Sequence, residues 1–207
     1  MTPEEVAEFE RRLADGGVGL FPADTVYGLA VHAESSQAVE RLYELKGRRA
    51  DRPAAVMFCR LEPALAALPE LAPRTLGAVE RLLPGAVTLL LPNPDRIFPL
   101  ACGRAPEVLG LRVPELTGAL APLSAVSLPL LQSSANPSGG PDARRLADVD
   151  AGIRAGVDVA LDGGELPGTP STVVDLTRYE EDGEFALERE GALPRDRIEA
   201  VLYRGSG

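Results

Sequence analysis

The chain has 207 residues, 45% of them hydrophobic, with 21 basic against 31 acidic side chains and a net charge of −10. That length suits one domain, or one with an appendage, and the core can form without disulfides or metals; the acidic balance argues against a surface built for bulk nucleic-acid binding, whose affinity comes from neutralising phosphates. His32 is the only histidine, and Cys59 and Cys102 lie far apart without a CxxC, which leaves zinc sites and Ser-His-Asp or Cys-His catalysis with a single candidate and suits a reduced, cytoplasmic setting.

No apolar run approaches the roughly 20 residues that a membrane helix needs. The opening MTPEEVAEFERRL is acidic and helical in pattern, unlike a secretory signal. Residues 3–15 read as that helix, with Pro3 early in it and Gly16-Gly17 ending it. An apolar strand at 18–21 leads into Pro22-Ala23-Asp24-Thr25 and a return through Ala30. A second helix follows, capped by Ser35 or Ser36, whose oxygen can accept first-turn amides. Val39, Leu42, Tyr43 and Lys46 recur at i, i+3, i+4 and i+7, so Lys46 extends the apolar stripe and is well placed to enter a cleft. A lysine snorkelling past the core to water fits the same spacing.

Beyond a polar loop at 49–52, residues 54–59 form a continuous apolar strand, as expected with cover on both faces. Helices at 61–68 and 74–83 are separated by Pro69 and Pro73, and Pro84-Gly85 ends the second. Next come a strand at 86–91, an aperiodic loop at 95–106, a strand at 108–113 carrying Arg112, and a short helix at 118–126. Pro129, in the apolar run 128–132, marks a strand start or a sheet edge. The SSANPSGGP loop then opens a helix near Asp142, its candidate N-cap. Strands at 157–161, 171–177 and 185–190 and a helix at 194–203 complete the chain. Helices and strands alternate, yet several late strands follow one another directly. That pattern predicts an α/β (α+β) fold, a twisted mixed β-sheet with helical cover, in one domain spanning 1–207 with a frayed tail at 203–207.

Some residues stand out chemically. Lys46 and Arg48, two cations at a helix end, can neutralise a polyphosphate or merely complement the helix dipole. Ser134-Ala135-Asn136 offers a hydroxyl, an amide and backbone amides near a helix start, which suits anions; a plain turn explains it equally. Arg112 interrupts the apolar run of Leu109, Leu111 and Val113, so it needs a carboxylate partner or an exit to a cleft. Gly163-Gly164 and Gly168 build a flexible loop before Ser171 that is neither a Walker A loop nor a dinucleotide fingerprint, so any ATP site here is not a P-loop.

PADTVYGLA followed by LKGRR resembles the YrdC-like threonylcarbamoyl-AMP synthases, whose members carry a TDTVYGL-type segment and then a K-x-R. LGLRVP, SSANPSG and DGG…STVVD fit the same family, in order and across nearly the whole chain. The resemblance implies a single YrdC-like domain with a concave ligand-binding sheet surface. It also implies a nucleotidyltransferase that makes threonylcarbamoyl-AMP and pyrophosphate from L-threonine, bicarbonate and ATP with Mg2+. A tRNA-modifying ligase complex would use the product, with weak RNA contact and no membrane role for this chain.

By the same resemblance Lys46, Arg48, Ser134 and Asn136 form the ATP-binding and catalytic set, acting by position and charge without a covalent nucleophile. Arg189 reaches ATP, although an ordinary surface strand residue reads the same. Arg112 holds the threonine carboxylate, and Thr25, Ser171 and the backbone at Gln132 contact the amino acid. No side chain is assigned to a metal. Ala23, Arg49, Ala54, Met57 and Asp142 depart from the family, where other members carry Thr, Pro, Leu, His and Ser. Two alternatives are a paralogue adenylating another carbamoyl-type substrate and a non-catalytic RNA-binding module, which the net charge of −10 weakens.

Overall fold

The computed structural model describes residues 1–47 and 52–203. Helix α1 (Pro3–Ala14) begins at a capping box, in which Thr2 Oγ1 accepts from Glu5 N at 3.2 Å and Thr2 N donates to Glu5 Oε2 at 2.7 Å. Val6, Phe9 and Leu13, on one face of that helix, are buried. Strands β1 (Gly19–Pro22) and β2 (Tyr27–His32) form an antiparallel pair across the Ala23–Val26 turn. Ser35, rather than Ser36, caps α2 (Ser36–Leu45). Then follow β3 (Ala55–Met57), α3 (Leu61–Ala66), α4 (Pro73–Leu82), β4 (Val87–Pro92), α5 (Pro99–Cys102), β5 (Val108–Arg112) and a 3-10 segment, Gly118–Ala125. The chain continues through β6 (Leu130–Ser134), a 3-10 turn at Leu146–Asp148, α6 (Ala151–Gly156), β7 (Val159–Ala160), β8 (Thr172–Asp175), α7 (Tyr179–Asp182), β9 (Ala186–Arg189) and α8 (Arg195–Tyr203).

Among the described residues the strands make one mixed sheet in the order β7-β1-β2-β6-β3-β5-β4-β8-β9. Pairs β1–β7, β3–β5 and β4–β8 are parallel and the rest antiparallel. Because side chains alternate across a strand, one face presents Leu20, Leu29, Val56, Leu89, Leu109, Leu111, Leu131 and Val174 to residues of α2, α4, α6 and α8. On the other face α1 covers only one end, where Phe9 and Leu13 pack with Phe21, Ala30, Met57 and Leu130. The remainder of that second face is left open. No helix among the described residues is long and apolar enough to cross a membrane.

Two expectations need correction, and two points that the sequence left open are decided. The helix expected near Asp142 is absent: Ala143 O accepts from Tyr27 N at 3.0 Å and Arg144 O from Leu166 N at 2.9 Å, so this backbone bonds to distant segments instead of to itself. A helix begins only at Ala151, where Asp150 accepts from Gly152 N and Ile153 N. The expected loop at 95–106 contains the one-turn α5. It is held by Asn93, which bonds Ile97 N, Ile97 O and Pro106 O, with Arg96 and Phe98 at positive φ. Helix α7 follows no local pattern; Glu180 within it accepts from Thr75 N at 2.9 Å, capping α4 from across the chain. Pro129 precedes β6, and β6 lies inside the sheet between β2 and β3, so the proline marks a strand start and not an edge. Of the expected frayed tail only Tyr203 is described, as the last residue of α8.

Candidate active site

The open part of the second face is the floor of a cavity of about 320 Å³, within the usual range for ligand sites. Its floor comes from the strand positions opposite the main core: Gly28, Ala55, Thr88, Leu90, Gly110, Arg112, Gln132, Ser134 and Val173. Apart from Leu90 and Val173, these side chains are small or polar, and on β4 and β5 they alternate with large apolar residues of the main core. Thr25 on the β1–β2 turn, Ser171 before β8 and Arg189 on β9 complete the wall. Six sequence candidates, Thr25, Arg112, Gln132, Ser134, Ser171 and Arg189, therefore meet around one space.

Arg112 is 3% exposed. Its Nη2 donates to an Asp24 carboxylate oxygen and to Thr25 Oγ1 (2.8 Å). Its Nε is buried and, among the described residues, has no hydrogen-bond partner. An unpaired buried donor on a cation is costly, and here it belongs to a side chain lining a cavity. Ser171 Oγ shares a 2.9 Å hydrogen bond with Thr88 Oγ1, and Ser171 O accepts from Arg189 Nη2 at 2.8 Å. Burial lowers the pKa of Arg189, the Asp142 carboxylate opposes that shift, and the Arg112 charge adds to it. Two guanidiniums thus share one cavity with the carboxylates of Asp142 and Glu188, while Asp24 pairs with Arg112.

Lys46 follows α2 as its C-cap and is 3% exposed. Its ammonium donates to Ser134 O, to Asn136 O at 2.7 Å and to Asn136 Oδ1 at 3.1 Å. Ser134 Oγ donates to the same Asn136 Oδ1 at 2.7 Å. Neither Lys46 nor Asn136 lines the cavity; together they shape the loop that carries Ser134 to it. The expected cradle of backbone amides does not form in that loop, because no helix starts there. Ala135 N donates to Tyr27 O, Asn136 N to Ser134 O, Ser138 N to Lys46 O and Gly140 N to Pro137 O. Arg48, expected beside Lys46, lies outside the described residues, as does Arg49.

The glycine-rich segment before Ser171 is pinned along its length. Tyr27 Oη donates to Asp162 Oδ1 at 2.9 Å and accepts from Gly163 N at 3.1 Å, and Gly168 N donates to Thr25 O at 2.9 Å. Burial pushes the Tyr27 phenol up to about 12, so it holds its proton at neutral pH. At Gly168 φ is +87° and a Cβ would lie 2.5 Å from Arg144 Cδ, so only glycine fits. Met57 is buried under α1 and outside the cavity lining. Sequence reasoning missed Asp24 and Thr88. Thr88 carries the same signal as Arg112, one polar residue in an apolar strand. Asp24 is the carboxylate that Arg112 requires, in the turn beside Thr25.

The Sua5/YciO/YrdC family model, described as telomere recombination, matches residues 11–191. Threonylcarbamoyl-AMP synthase of Bacillus subtilis is 34% identical over 203 residues, covering 96% of this chain and 56% of that protein. The Pyrococcus abyssi synthase is 31% identical over 205 residues, covering 96% and 59%. The crystal structure of P. abyssi Sua5 complexed with L-threonine has a TM-score of 0.84 at 30% identity, covering 97% of this chain and 58% of the other. This chain thus spans under three fifths of the length of the curated relatives it matches first. A match over residues 11–191 and relatives above 30% identity leave no ambiguity of kinship: the chain belongs to the Sua5/YciO/YrdC family.

Proposed function

We propose that this chain is an L-threonylcarbamoyladenylate synthase, joining L-threonine, bicarbonate and ATP into threonylcarbamoyl-AMP with release of water and pyrophosphate. One observation carries most of the weight: a buried arginine, Arg112, lines the cavity with an Nε that has no partner among the described residues. A guanidinium edge of that kind suits a carboxylate. The names of the relatives from B. subtilis and P. abyssi, and the threonine bound to the second, supply the substrate identity.

In this proposal Arg112 takes the threonine carboxylate, while Thr25, Ser171 and the backbone of Gln132 line its place. Ser134 and Arg189 meet ATP, joined by Arg48. Lys46 and Asn136 hold the Ser134 loop, and a direct phosphate contact by Lys46 would exchange one of its present acceptors. The carboxylated threonine nitrogen supplies the attacking carbamate oxygen, so catalysis rests on positioning and charge without a protein nucleophile. Among the described residues no three His, Cys, Asp or Glu converge as a cation cage. Mg2+ would come with the nucleotide, bound chiefly by its phosphates and water. The product would pass, in the cytoplasm, to a ligase complex acting on tRNA, with at most weak RNA contact by this single domain.

The test is pyrophosphate release with ATP and bicarbonate, comparing threonine, serine, glycine and no amino acid, with mass detection of the adenylate. Threonine should lead, with serine poorer by about 1–3 kcal/mol, the worth of one methyl group in a pocket. Threonine giving no more product than glycine would end the threonine assignment and leave an adenylating enzyme for another carbamoyl-type substrate.

A further inference from the structure

We propose that Asp24 is a positioning residue for the substrate carboxylate, acting through Arg112; this rests on the threonine-binding role given to Arg112 above. Asp24 grips two things at once. One carboxylate oxygen accepts from Arg112 Nη2, and the other accepts from Glu115 N at 3.2 Å, three residues beyond Arg112. The pair is nearly sealed, with side chains 3% and 8% exposed. The turn that carries Asp24 is itself tied down, since Ala23 N donates to Val26 O and Thr25 O accepts from Gly168 N.

The consequence lies in which donors remain. A guanidinium has five N–H groups in a rigid plane. Asp24 and Thr25 occupy Nη2 from two directions, which fixes the rotation of that plane, while Nε keeps its N–H without a partner among the described residues. A ligand carboxylate therefore meets a held edge instead of a swinging cation, and less ordering is left for the binding step. Asp24 also balances the Arg112 charge, so the buried arginine is stable before a ligand arrives.

The experiment is calorimetric titration of L-threonine, and separately of ATP, into the wild type, Asp24→Asn, Asp24→Glu, Arg112→Lys and the double variant Asp24→Asn/Arg112→Lys. Asp24→Asn keeps the size and one acceptor; Asp24→Glu keeps the charge and displaces it by a methylene. Each should weaken threonine binding roughly 10-fold or more, as for a lost charged hydrogen bond, with ATP binding within about twofold of wild type. The double variant should bind threonine no worse than Arg112→Lys alone. Wild-type threonine affinity in Asp24→Asn, a full extra loss in the double variant, equal losses for ATP, or failure of both single variants to fold would each overturn the proposal. Nuclear magnetic resonance of the Arg112 side chain reads the clamp without ligand: restricted guanidinium rotation in the wild type should become free in Asp24→Asn, and unchanged rotation would also refute it. A wild type that binds no threonine, with rotation restricted in it and freed in Asp24→Asn, would sink the threonine reading and leave the clamp standing.

Discussion

On the helix-covered face of the sheet Val56, Leu89, Leu109, Leu111 and Leu131 are fully buried, and α2, α4, α6 and α8 pack over that core. One position away on the same strands, Ala55, Thr88, Gly110, Arg112 and Gln132 floor the cavity. The covered face needs volume and apolarity, and close packing makes each methylene count. The open face needs the reverse: small side chains to leave space, and single polar atoms at set places. Stability should therefore fail through one face and ligand use through the other.

The largest effect should come from the covered face. Leu111→Ala should cost about 2–5 kcal/mol of stability through lost burial and a cavity. Chemical denaturation measures it, while pyrophosphate release per folded molecule should stay near wild type. A large loss of activity without loss of stability would break the division between faces. Arg112→Lys tests the other side. It keeps the charge and removes the planar fork, so the threonine requirement should rise by about 1.5–3 kcal/mol, more than the ATP requirement. Steady-state kinetics decide it, and equal effects on both substrates would mark Arg112 as a structural ion pair.

Lys46→Met probes the boundary between the two demands. The lysine is 3% exposed and donates to three acceptors of the Ser134–Asn136 loop. Its loss should lower stability by about 1–3 kcal/mol through buried acceptors left without donors, and weaken ATP use as well. Weaker ATP use with an unchanged melting temperature would place the ammonium on the phosphates instead. The smallest effect belongs to Thr88→Val, which removes one hydroxyl bond to Ser171. It should cost about 0.5–1.5 kcal/mol, read as a reduced preference for threonine over serine.

Much of the chain was legible before folding because its signals are local. Thr2 and Glu5 start α1, Ser35 starts α2, and Pro84-Gly85 follows α4. The run LGLRV shows an apolar strand interrupted by a group that wants a partner. Where segments bond to distant backbone, local reading failed. Residues 142–145 look like a helix start, yet the carbonyls of Ala143 and Arg144 serve Tyr27 and Leu166; Asn93 folds its loop through a single side chain.

Sequence alone determined the order of helices and strands, the family resemblance and most of the residues around the cavity, because hydrophobic period, capping and motif order depend only on neighbours along the chain. Tertiary structure decided which sheet face stays open, that Lys46 is spent on the Ser134–Asn136 loop, and that Asp24 is the carboxylate answering Arg112. Those outcomes depend on strands far apart in sequence being brought side by side. Asp24 and Arg112 stand 88 residues apart, and no local spacing can state that they touch.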